Sequence, residues 1–405
     1  MGAETARLYY QDAYLRSFSA EVVASKVLQE GVAVALDRSA FYPTGGGQPH
    51  DTGTLGQARV IDVSLEGGVV WHALEAGSTV PPVGSGITGA IDWPRRFDHM
   101  QQHSGQHILS AAFVKGCCAQ TVAFHMGEDY CTIDIDRTTL TAEDLEAVEA
   151  AANAVVDQAL PVTATFVSDD ELKRLPLRKP PAVAGAVRIV EVMGYDWSPC
   201  GGTHVANTAQ CGLIEITSTE RRGPETRVTF LCGQRARADY RRLRLLAAGL
   251  GARFSSGPGE WLDALDRLTA EAKATRKELA ALEIEWADAQ ATALWAAAVP
   301  AGPWKVVCQA VDHPAERAKR IAQALKARSG TVVLLGARGE RPQLFFGRAD
   351  DVGLDAGALL RAAAMAAGGR GGGRPEWAQG GAPDNTALGQ ALAAALAAVA
   401  ARAGE

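Results

Sequence analysis

Two pairs of residues with identical spacing are the strongest chemical signal in the sequence. His103 and His107 are four residues apart in QQHSGQH, and Cys200 and His204 are four residues apart in PCGGTHV. On a helix, this spacing places two side chains on one face, about one turn apart. Zinc accepts both imidazole and thiolate, and its sites often combine two such pairs. The spacing therefore predicts that these four residues bind one Zn²⁺.

The neighbouring residues limit what this metal would do. Ser104 and Gln106 occupy the positions where peptidase motifs of the H-E-x-x-H type and its inverted form carry Glu, so neither motif is present. Four protein ligands also close a tetrahedral site, which is the usual form of a structural zinc. Catalysis would then require a displaced ligand, five-coordination, or a nucleophile held by other groups.

The elements that position these pairs are predicted from the hydrophobic pattern. Residues 1–92 contain short β-branched runs separated by Gly, Pro and Asp, which is typical of a small β-barrel. Residues 93–234 alternate helix and strand patterns and predict an α+β domain, with the zinc histidines on a helix from about Asp98. Thr141 and Asp144 have the spacing of a helix cap.

The second half of the chain predicts two further domains. Residues 235–300 predict a helical hairpin, with an Arg-rich helix, Arg235–Leu250, and a second helix after the break SSGPG. The second helix carries a heptad seam of nine residues: Trp261, Leu265, Leu268, Ala272, Thr275, Leu279, Leu282, Trp286 and Ala289. Residues 301–405 predict a compact α/β domain with a Gly-rich loop and a long Ala-rich helix. The fold class is therefore α+β and multidomain.

Composition narrows the class of protein. Seven cysteines in 405 residues argue against a disulfide-stabilised secreted domain, and no run of 18 uncharged apolar residues predicts a membrane span. We therefore expect a cytoplasmic protein without a membrane partner. Because the net charge is −6, nucleic-acid binding would require local basic clusters. The candidates for phosphate binding are Arg221, Arg222, Arg241 and Arg242, and Arg370 and Arg374 in the Gly-rich loop.

Four segments resemble a known family. TGGGQPHDTG (44–53), QQHSGQH (101–107) and PCGGTHV (199–205) are similar to the editing domain of alanyl-tRNA synthetases and of their free-standing relatives, the AlaX proteins. GGRGGGRPEWAQGG (368–381) resembles the signature of the DHHA1 domain. The resemblance implies an editing domain at 93–234 and a DHHA1-like domain at 301–405. Two positions depart from the pattern, since His50 replaces a common Gly and Ser104 replaces a common Thr.

The resemblance also implies an activity and a partner. Because the chain starts just before the barrel, we expect a long-type, free-standing AlaX rather than a synthetase. Such a protein deacylates mischarged tRNA(Ala). Ser-tRNA(Ala) and Gly-tRNA(Ala) are the candidate substrates, and the sequence does not rank them. The heptad seam predicts one of two arrangements: packing within the hairpin, or a homodimer through the hairpin or the C-terminal domain. Two alternatives stay open: a zinc-dependent hydrolase of small esters or amides, and a non-catalytic tRNA-binding module with a structural zinc.

Site roles follow from the same resemblance. Gly45, Gly46 and Gly47 would line the site of the terminal adenosine, and Gly201 and Gly202 would let backbone approach the metal or the substrate. The resemblance implies that Gln48 contacts the ester or the substrate side chain. Recognition of the serine hydroxyl requires a polar group, and the candidates are His125, Gln48, Thr203 and the zinc itself. Gln48, His125 and Thr203 are therefore the expected catalytic residues, and a place in the core is the alternative for His125.

Overall fold

The structure is a computed structural model, and it describes residues 4–29, 31–180 and 186–403. The chain forms two compact units, one up to Leu250 and one from Gly251. This border lies inside the region predicted as a helical hairpin. The finer domain borders predicted at 92, 234 and 300 stay predictions.

The N-terminal part of the first unit is built from eight short strands. Their bounds are β1 (Ala6–Arg7), β2 (Ser17–Val27), β3 (Val32–Leu36), β4 (Arg38–Ser39), β5 (Gly53–Leu55), β6 (Ala58–Glu66), β7 (Val69–Leu74) and β8 (Gly86–Ile91). Six of them close into a barrel in the order β2–β3–β7–β6–β5–β8, and β1 pairs with β4 in parallel. Sequence analysis missed β2, where Phe18, Ala20 and Val22 point inward at alternate positions.

The remainder of the first unit alternates helices and strands. The elements are α1 (Trp93–Cys117), β9 (Thr121–Met126), β10 (Cys131–Ile135), α2 (Ala142–Asp157), β11 (Val162–Val167), α3 (Asp169–Leu172), β12 (Val187–Val192), β13 (Asp196–Pro199), β14 (Ile214–Arg222), β15 (Glu225–Cys232) and α4 (Gln234–Phe254). They form one sheet in the order β14–β15–β10–β9 and another in the order β11–β12–β13. The predicted cap at Thr141 is confirmed, since Thr141 and Asp144 form a capping box.

Helix α1 is the central element of this unit. It starts at Trp93, five residues before the predicted start at Asp98, with Pro94 in its first turn. Every residue from His99 to Phe113 is buried, including the polar ones. A helix buried on all sides needs partners for each polar side chain, and these partners create the site described below.

The second unit is a six-stranded sheet with helices packed against it. Its elements are α5 (Trp261–Ala296), β16 (Val299–Ala301), β17 (Trp304–Val311), α6 (Ala315–Lys326), β18 (Thr331–Ala337), β19 (Gln343–Arg348), α7 (Ala356–Ala366), β20 (Arg370–Arg374), β21 (Trp377–Gly381) and α8 (Asn385–Ala403). The strand order is β16–β17–β18–β19–β21–β20.

The Gly-rich segment predicted as a loop is a strand, β20, at the edge of this sheet. The prediction was wrong because glycine here serves close packing rather than a turn. A Cβ on Gly371 would lie 2.3 Å from Leu360 Cδ2 of α7, and one on Gly373 would lie 2.3 Å from the Trp377 carbonyl oxygen. The hairpin of β20 and β21 can therefore lie against α7 only without side chains at these positions.

Two helices of the second unit are strongly apolar. Helix α8 is long and apolar enough to cross a membrane by length and composition alone. One face of it is buried in the core of the unit, with Leu388, Ala391 and Val399 packed against the sheet and α7. A buried face of this kind is typical of a helix in the core of a folded domain. Along α5, four leucines of the predicted heptad seam are 51–55% exposed: Leu265, Leu268, Leu279 and Leu282.

A buried ion pair joins α1 to the loop that precedes β5. The Arg96 guanidinium donates hydrogen bonds to both carboxylate oxygens of Asp51, and both side chains are fully buried. Arg96 also donates to the carbonyl oxygens of Ala13 and Ala40, and Asp51 accepts from the backbone N–H of Tyr42. Asp51 therefore fixes the end of the loop that starts at Tyr42.

We expect the substitution Asp51→Asn to lower the free energy of unfolding of this unit by about 3–5 kcal/mol, because it leaves the Arg96 charge buried without a counter-charge. Denaturant unfolding would measure the change. Asp157→Asn, at an exposed position on α2, is the matched control and should shift stability by less than about 0.5 kcal/mol. Equal stability of the two variants would contradict a structural role for the pair.

Candidate metal centre

The four predicted ligands meet in one place. His103 and His107 lie one turn apart in the middle of α1, and Cys200 and His204 lie in the turn that follows β13. One ligand atom from each residue lies within 4.8 Å of the other three. Cys200 Sγ is 3.4 Å from His103 Nε2 and 3.3 Å from His204 Nε2. In a tetrahedral zinc site, such atoms lie about 3.5 Å apart, so the donor set fits a metal ion of this kind.

The second nitrogen of each imidazole faces a protein partner. His103 Nδ1 lies 2.8 Å from Gln48 Oε1, and His204 Nδ1 lies 3.0 Å from Ser104 Oγ. His107 Nδ1 lies 3.4 Å from Asp196 Oδ2, which is long for a hydrogen bond but close for an ion pair. Partners at Nδ1 orient the three rings so that Nε2 is the nitrogen left for a metal.

The electrostatics favour the ligating form of the thiol. Burial alone would raise the pKa of Cys200, but the His103 and His204 imidazoles outweigh it and hold the pKa well below its usual value. Burial lowers the pKa of His204 to about 3, which keeps that ring neutral. A thiolate and a neutral imidazole are the forms that bind zinc.

Asp196 lies between His107 and Arg178 and interacts with the charge of both. Burial would raise the pKa of this carboxyl, but His107 and Arg178 lower it to about 2. Arg178 donates to Asp196 at 2.9 Å and to Ser198 Oγ at 2.9 Å. Burial lowers the pKa of His107, and Asp196 and Cys200 reverse that effect and raise it. Metal binding at His107 would therefore release a proton.

Gln48 and Thr203 contact the metal site from within the protein core. Both are fully buried, and neither lines the cavity. The Gln48 amide donates to Thr203 Oγ1 at 2.9 Å, and its Oε1 accepts from the Thr203 N–H at 3.2 Å. With His103 as a third partner, the Oε1 of Gln48 contacts two protein groups. These contacts indicate that Gln48 and Thr203 position His103, and their predicted contact with the substrate stays a prediction.

A cavity of about 410 Å³ opens beside the four ligands. Its lining includes Gly45, Gly46, Gly201 and Gly202, as the sequence predicted for the substrate site, together with Tyr9, Tyr10, Tyr42, Phe124, Arg178 and Lys179. A Cβ on Gly202 would lie 2.2 Å from His103 Cε1, so glycine is required there for the turn to approach the ring. Gly47 is not part of the lining; its φ is +83°, and a Cβ there would collide with Phe124.

The structure places His125 outside this cavity. His125 is exposed, whereas the preceding Phe124 lines the cavity with its ring 5.4 Å from the His103 ring. The lining of the cavity includes residues 121–124 of β9 and ends before His125. The catalytic role of His125 stays a prediction.

Gln106 is a polar residue of the cavity that the sequence analysis did not assign to the substrate. It is 6% exposed, and its Nε2 donates to Ser110 Oγ at 2.8 Å, which also accepts from Thr121 at 2.6 Å. Among the residues that the structure describes, no hydrogen-bond donor is recorded for Gln106 Oε1. This oxygen can therefore accept a hydrogen bond from a ligand hydroxyl. The sequence signal was its place directly before His107.

The predicted phosphate-binding arginines are all exposed. Arg221 and Arg222 lie at the end of β14, Arg241 and Arg242 lie on α4, and Arg370 and Arg374 lie on β20. Arg222 pairs with Glu220 and Arg242 pairs with Asp239, which reduces their free charge. Two other arginines of the same run, Arg227 and Arg235, are held in ion pairs with Asp134 and Asp98.

We expect Gln48→Ala to lower zinc affinity by about 10–100-fold, because His103 loses the partner that orients it. Competition with a chromophoric chelator would measure the affinity. Gln158→Ala, at an exposed helix end, is the control and should bind as the natural protein does. Unchanged affinity together with slower hydrolysis would instead support the direct contact with substrate predicted from the sequence.

Comparison with known proteins extends these observations over most of the chain. Residues 187–227 match the family model of the threonyl and alanyl tRNA synthetase second additional domain, and residues 305–403 match the DHHA1 domain. Residues 4–95 match the model of class II (A) tRNA synthetases. The second additional domain match includes Cys200 and His204.

Curated relatives cover both units. The alanyl-tRNA editing protein AlaX-L of Pyrococcus horikoshii is 29% identical over 92% of this chain and 94% of its own length. The alanyl-tRNA editing protein Aarsd1-B of Xenopus laevis is 34% identical over 61% of this chain and 60% of its own. The alanine–tRNA ligase of Pyrococcus abyssi is 31% identical over 93% of this chain, which spans 42% of that ligase. Along nearly its whole length, the chain is therefore similar both to an alanyl-tRNA editing protein and to the corresponding part of alanine–tRNA ligases.

Proposed function

We propose that this protein hydrolyses the ester bond of mischarged tRNA(Ala), with Ser-tRNA(Ala) and Gly-tRNA(Ala) as substrates, and that it requires zinc. The observation that supports this most directly is the cluster of His103, His107, Cys200 and His204, of which the first three line a cavity. Relatives named as alanyl-tRNA editing proteins supply the substrate class.

The residues of the chain have separable tasks in this proposal. Bound zinc would supply a positive centre that polarises an ester carbonyl or a water molecule. The glycines at 45, 46, 201 and 202 leave room for the ribose and the ester beside the ligands. Lys179 lines the same cavity and offers a cation for the negatively charged end of the tRNA. Tyr10 and Phe124 offer ring surface on which a base can rest.

Two further parts of the proposal concern partners. The exposed Arg221 and Arg241, and Arg370 and Arg374 on β20, would contact tRNA phosphates. The half-exposed leucines of α5 support the predicted homodimer, because an apolar seam of this length is usually covered by a partner. Localisation in the cytoplasm would agree with this substrate.

We expect Cys200→Ala to lose both zinc and deacylation of Ser-tRNA(Ala), by more than the roughly 10–100-fold typical of losing an outer-shell partner. Cys118→Ala, at an exposed free cysteine, should retain both and serves as control. Metal analysis and the rate of release of serine from Ser-tRNA(Ala), Ala-tRNA(Ala) and Ser-tRNA(Ser) would measure the effects.

The two alternatives give different results in the same assay. A folded, metal-free protein that still hydrolyses Ser-tRNA(Ala) would show that the zinc is structural. Equal turnover of seryl-tRNA and of a simple serine ester would indicate a general esterase. No hydrolysis of any of these substrates by the zinc-loaded protein would reject the proposed activity.

Discrimination between serine and alanine requires a polar group in the cavity, since an apolar pocket distinguishes an added hydroxyl weakly. We expect Gln106→Leu to reduce kcat/KM for Ser-tRNA(Ala) relative to Gly-tRNA(Ala) by roughly 5–150-fold, which corresponds to about 1–3 kcal/mol for one unpaired group. His125→Ala is the control and should change both substrates equally, because His125 is exposed. A selective loss with His125→Ala would restore the role predicted from the sequence.

A further inference from the structure

A second cavity lies beside the metal site and has no role in the reaction proposed above. Its volume is about 500 Å³. Five parts of the first unit line it: the loop after Gln48, strand β6, the first turns of α1, the turn between β9 and β10, and the start of α4. The lining residues are Pro49, His50, Thr52, Ile61, Arg95, Asp98, His99, Gly127, Glu128 and Arg235. We call it the Arg95 cavity.

One side chain in this cavity is buried without a partner. His99 is 3% exposed, and its Nδ1 is buried with no hydrogen-bond partner among the described residues. A buried polar nitrogen left in this state is unfavourable unless a ligand or water satisfies it. Burial, together with Arg95 and Arg235, lowers the pKa of His99 to about 3. The ring is therefore neutral, and its nearest charges are positive.

Among the described residues that line the cavity, Arg95 carries a positive charge without an ion-pair partner. Arg235 forms a two-pronged ion pair with Asp98, so these two charges cancel. Arg95 donates its Nε–H to the His50 carbonyl oxygen at 3.0 Å, and no ion pair of Arg95 occurs in the part of the chain that the structure describes. Glu128 is the remaining acid of the lining; it is exposed, so solvent screens it.

The Arg95 cavity is close to the metal site along two chain segments. His99 and the ligand His103 are separated by four residues of α1, a rise of about 6 Å. Gly46 lines the metal-site cavity and Pro49 lines the Arg95 cavity, and three residues span at most about 11 Å. The two cavities therefore lie on either side of the short segment formed by Gly47 and Gln48.

We propose that the Arg95 cavity binds a phosphodiester of the tRNA acceptor strand, one that precedes the terminal adenosine, through the Arg95 guanidinium and the His99 ring. This inference rests on the proposed function of the metal site. A guanidinium is suited to a phosphate because it offers parallel N–H donors, and the buried imidazole adds a further donor. The cavity thus fixes the strand while the neighbouring site acts on the ester.

The test compares two substrates that differ in phosphate. Ser-tRNA(Ala) carries the phosphodiester, whereas 3′-O-seryl-adenosine has the same ester and base without any phosphate. We expect Arg95→Gln to raise KM for Ser-tRNA(Ala) about tenfold with kcat within about twofold, and to lower the salt dependence of KM by about one phosphate contact. Hydrolysis of seryl-adenosine should be unchanged. Arg95→Lys should recover part of the KM, since it keeps the charge.

Arg59→Gln, at an exposed arginine on β6, is the matched control for loss of charge. If Arg95→Gln and Arg59→Gln have equal kinetics on Ser-tRNA(Ala), the inference is overturned. Equal losses on both substrates would also overturn it, because Arg95 would then act through the metal site. If inorganic phosphate inhibits the natural protein while Arg95→Gln leaves KM for tRNA unchanged, the cavity binds a free anion and the assignment to tRNA fails. Absence of hydrolysis of either substrate by the natural protein would reject the proposed function itself.

Discussion

The ion pair of Arg96 and Asp51 determines where the metal site can form. It joins two segments that are far apart in sequence: the loop that ends at Asp51 and the first turns of α1. Because Asp51 also holds the Tyr42 N–H, both ends of the loop are fixed relative to the helix. Gln48, inside this loop, can then reach His103 two turns further along α1. Burial of these two charges is unfavourable, and the hydrogen bonds that Arg96 and Asp51 form compensate for it.

The metal centre shows how a fully buried helix can present polar ligands. His103, His107 and the Ser104 that contacts His204 all lie within one and a half turns of α1. Each imidazole is held by a different kind of partner: an amide, a hydroxyl and a carboxylate. A site with one thiolate and three neutral imidazoles would carry a net charge of +1 around a divalent ion, and Asp196 offsets it next to His107. Arg178 in turn prevents Asp196 from taking up a proton.

The four predicted ligands lie together in the structure, and the sequence indicates them because two pairs with equal spacing need few assumptions about tertiary structure. The short β-branched runs of residues 1–92 include the strands β3 and β7. The sequence did not predict which residues line the cavity, since that depends on tertiary packing: residues 121–124 of β9 line it and His125 does not. Likewise, Gln48 has the chemistry of a substrate ligand, and only the positions of Thr203 and His103 in space show that its Oε1 contacts protein groups. The Gly-rich strand β20 escaped prediction because its glycines are set by the proximity of α7, a tertiary contact.

The loop from residue 43 to residue 52 connects these features physically. Its first half lines the metal-site cavity, Gln48 in its middle supports His103 from the protein side, and its second half lines the Arg95 cavity. Asp51 anchors the loop to Arg96, and Arg95, the adjacent residue of α1, donates to the His50 carbonyl oxygen. A molecule that binds at His50 or Arg95 would therefore contact the same short segment that orients the metal ligand His103.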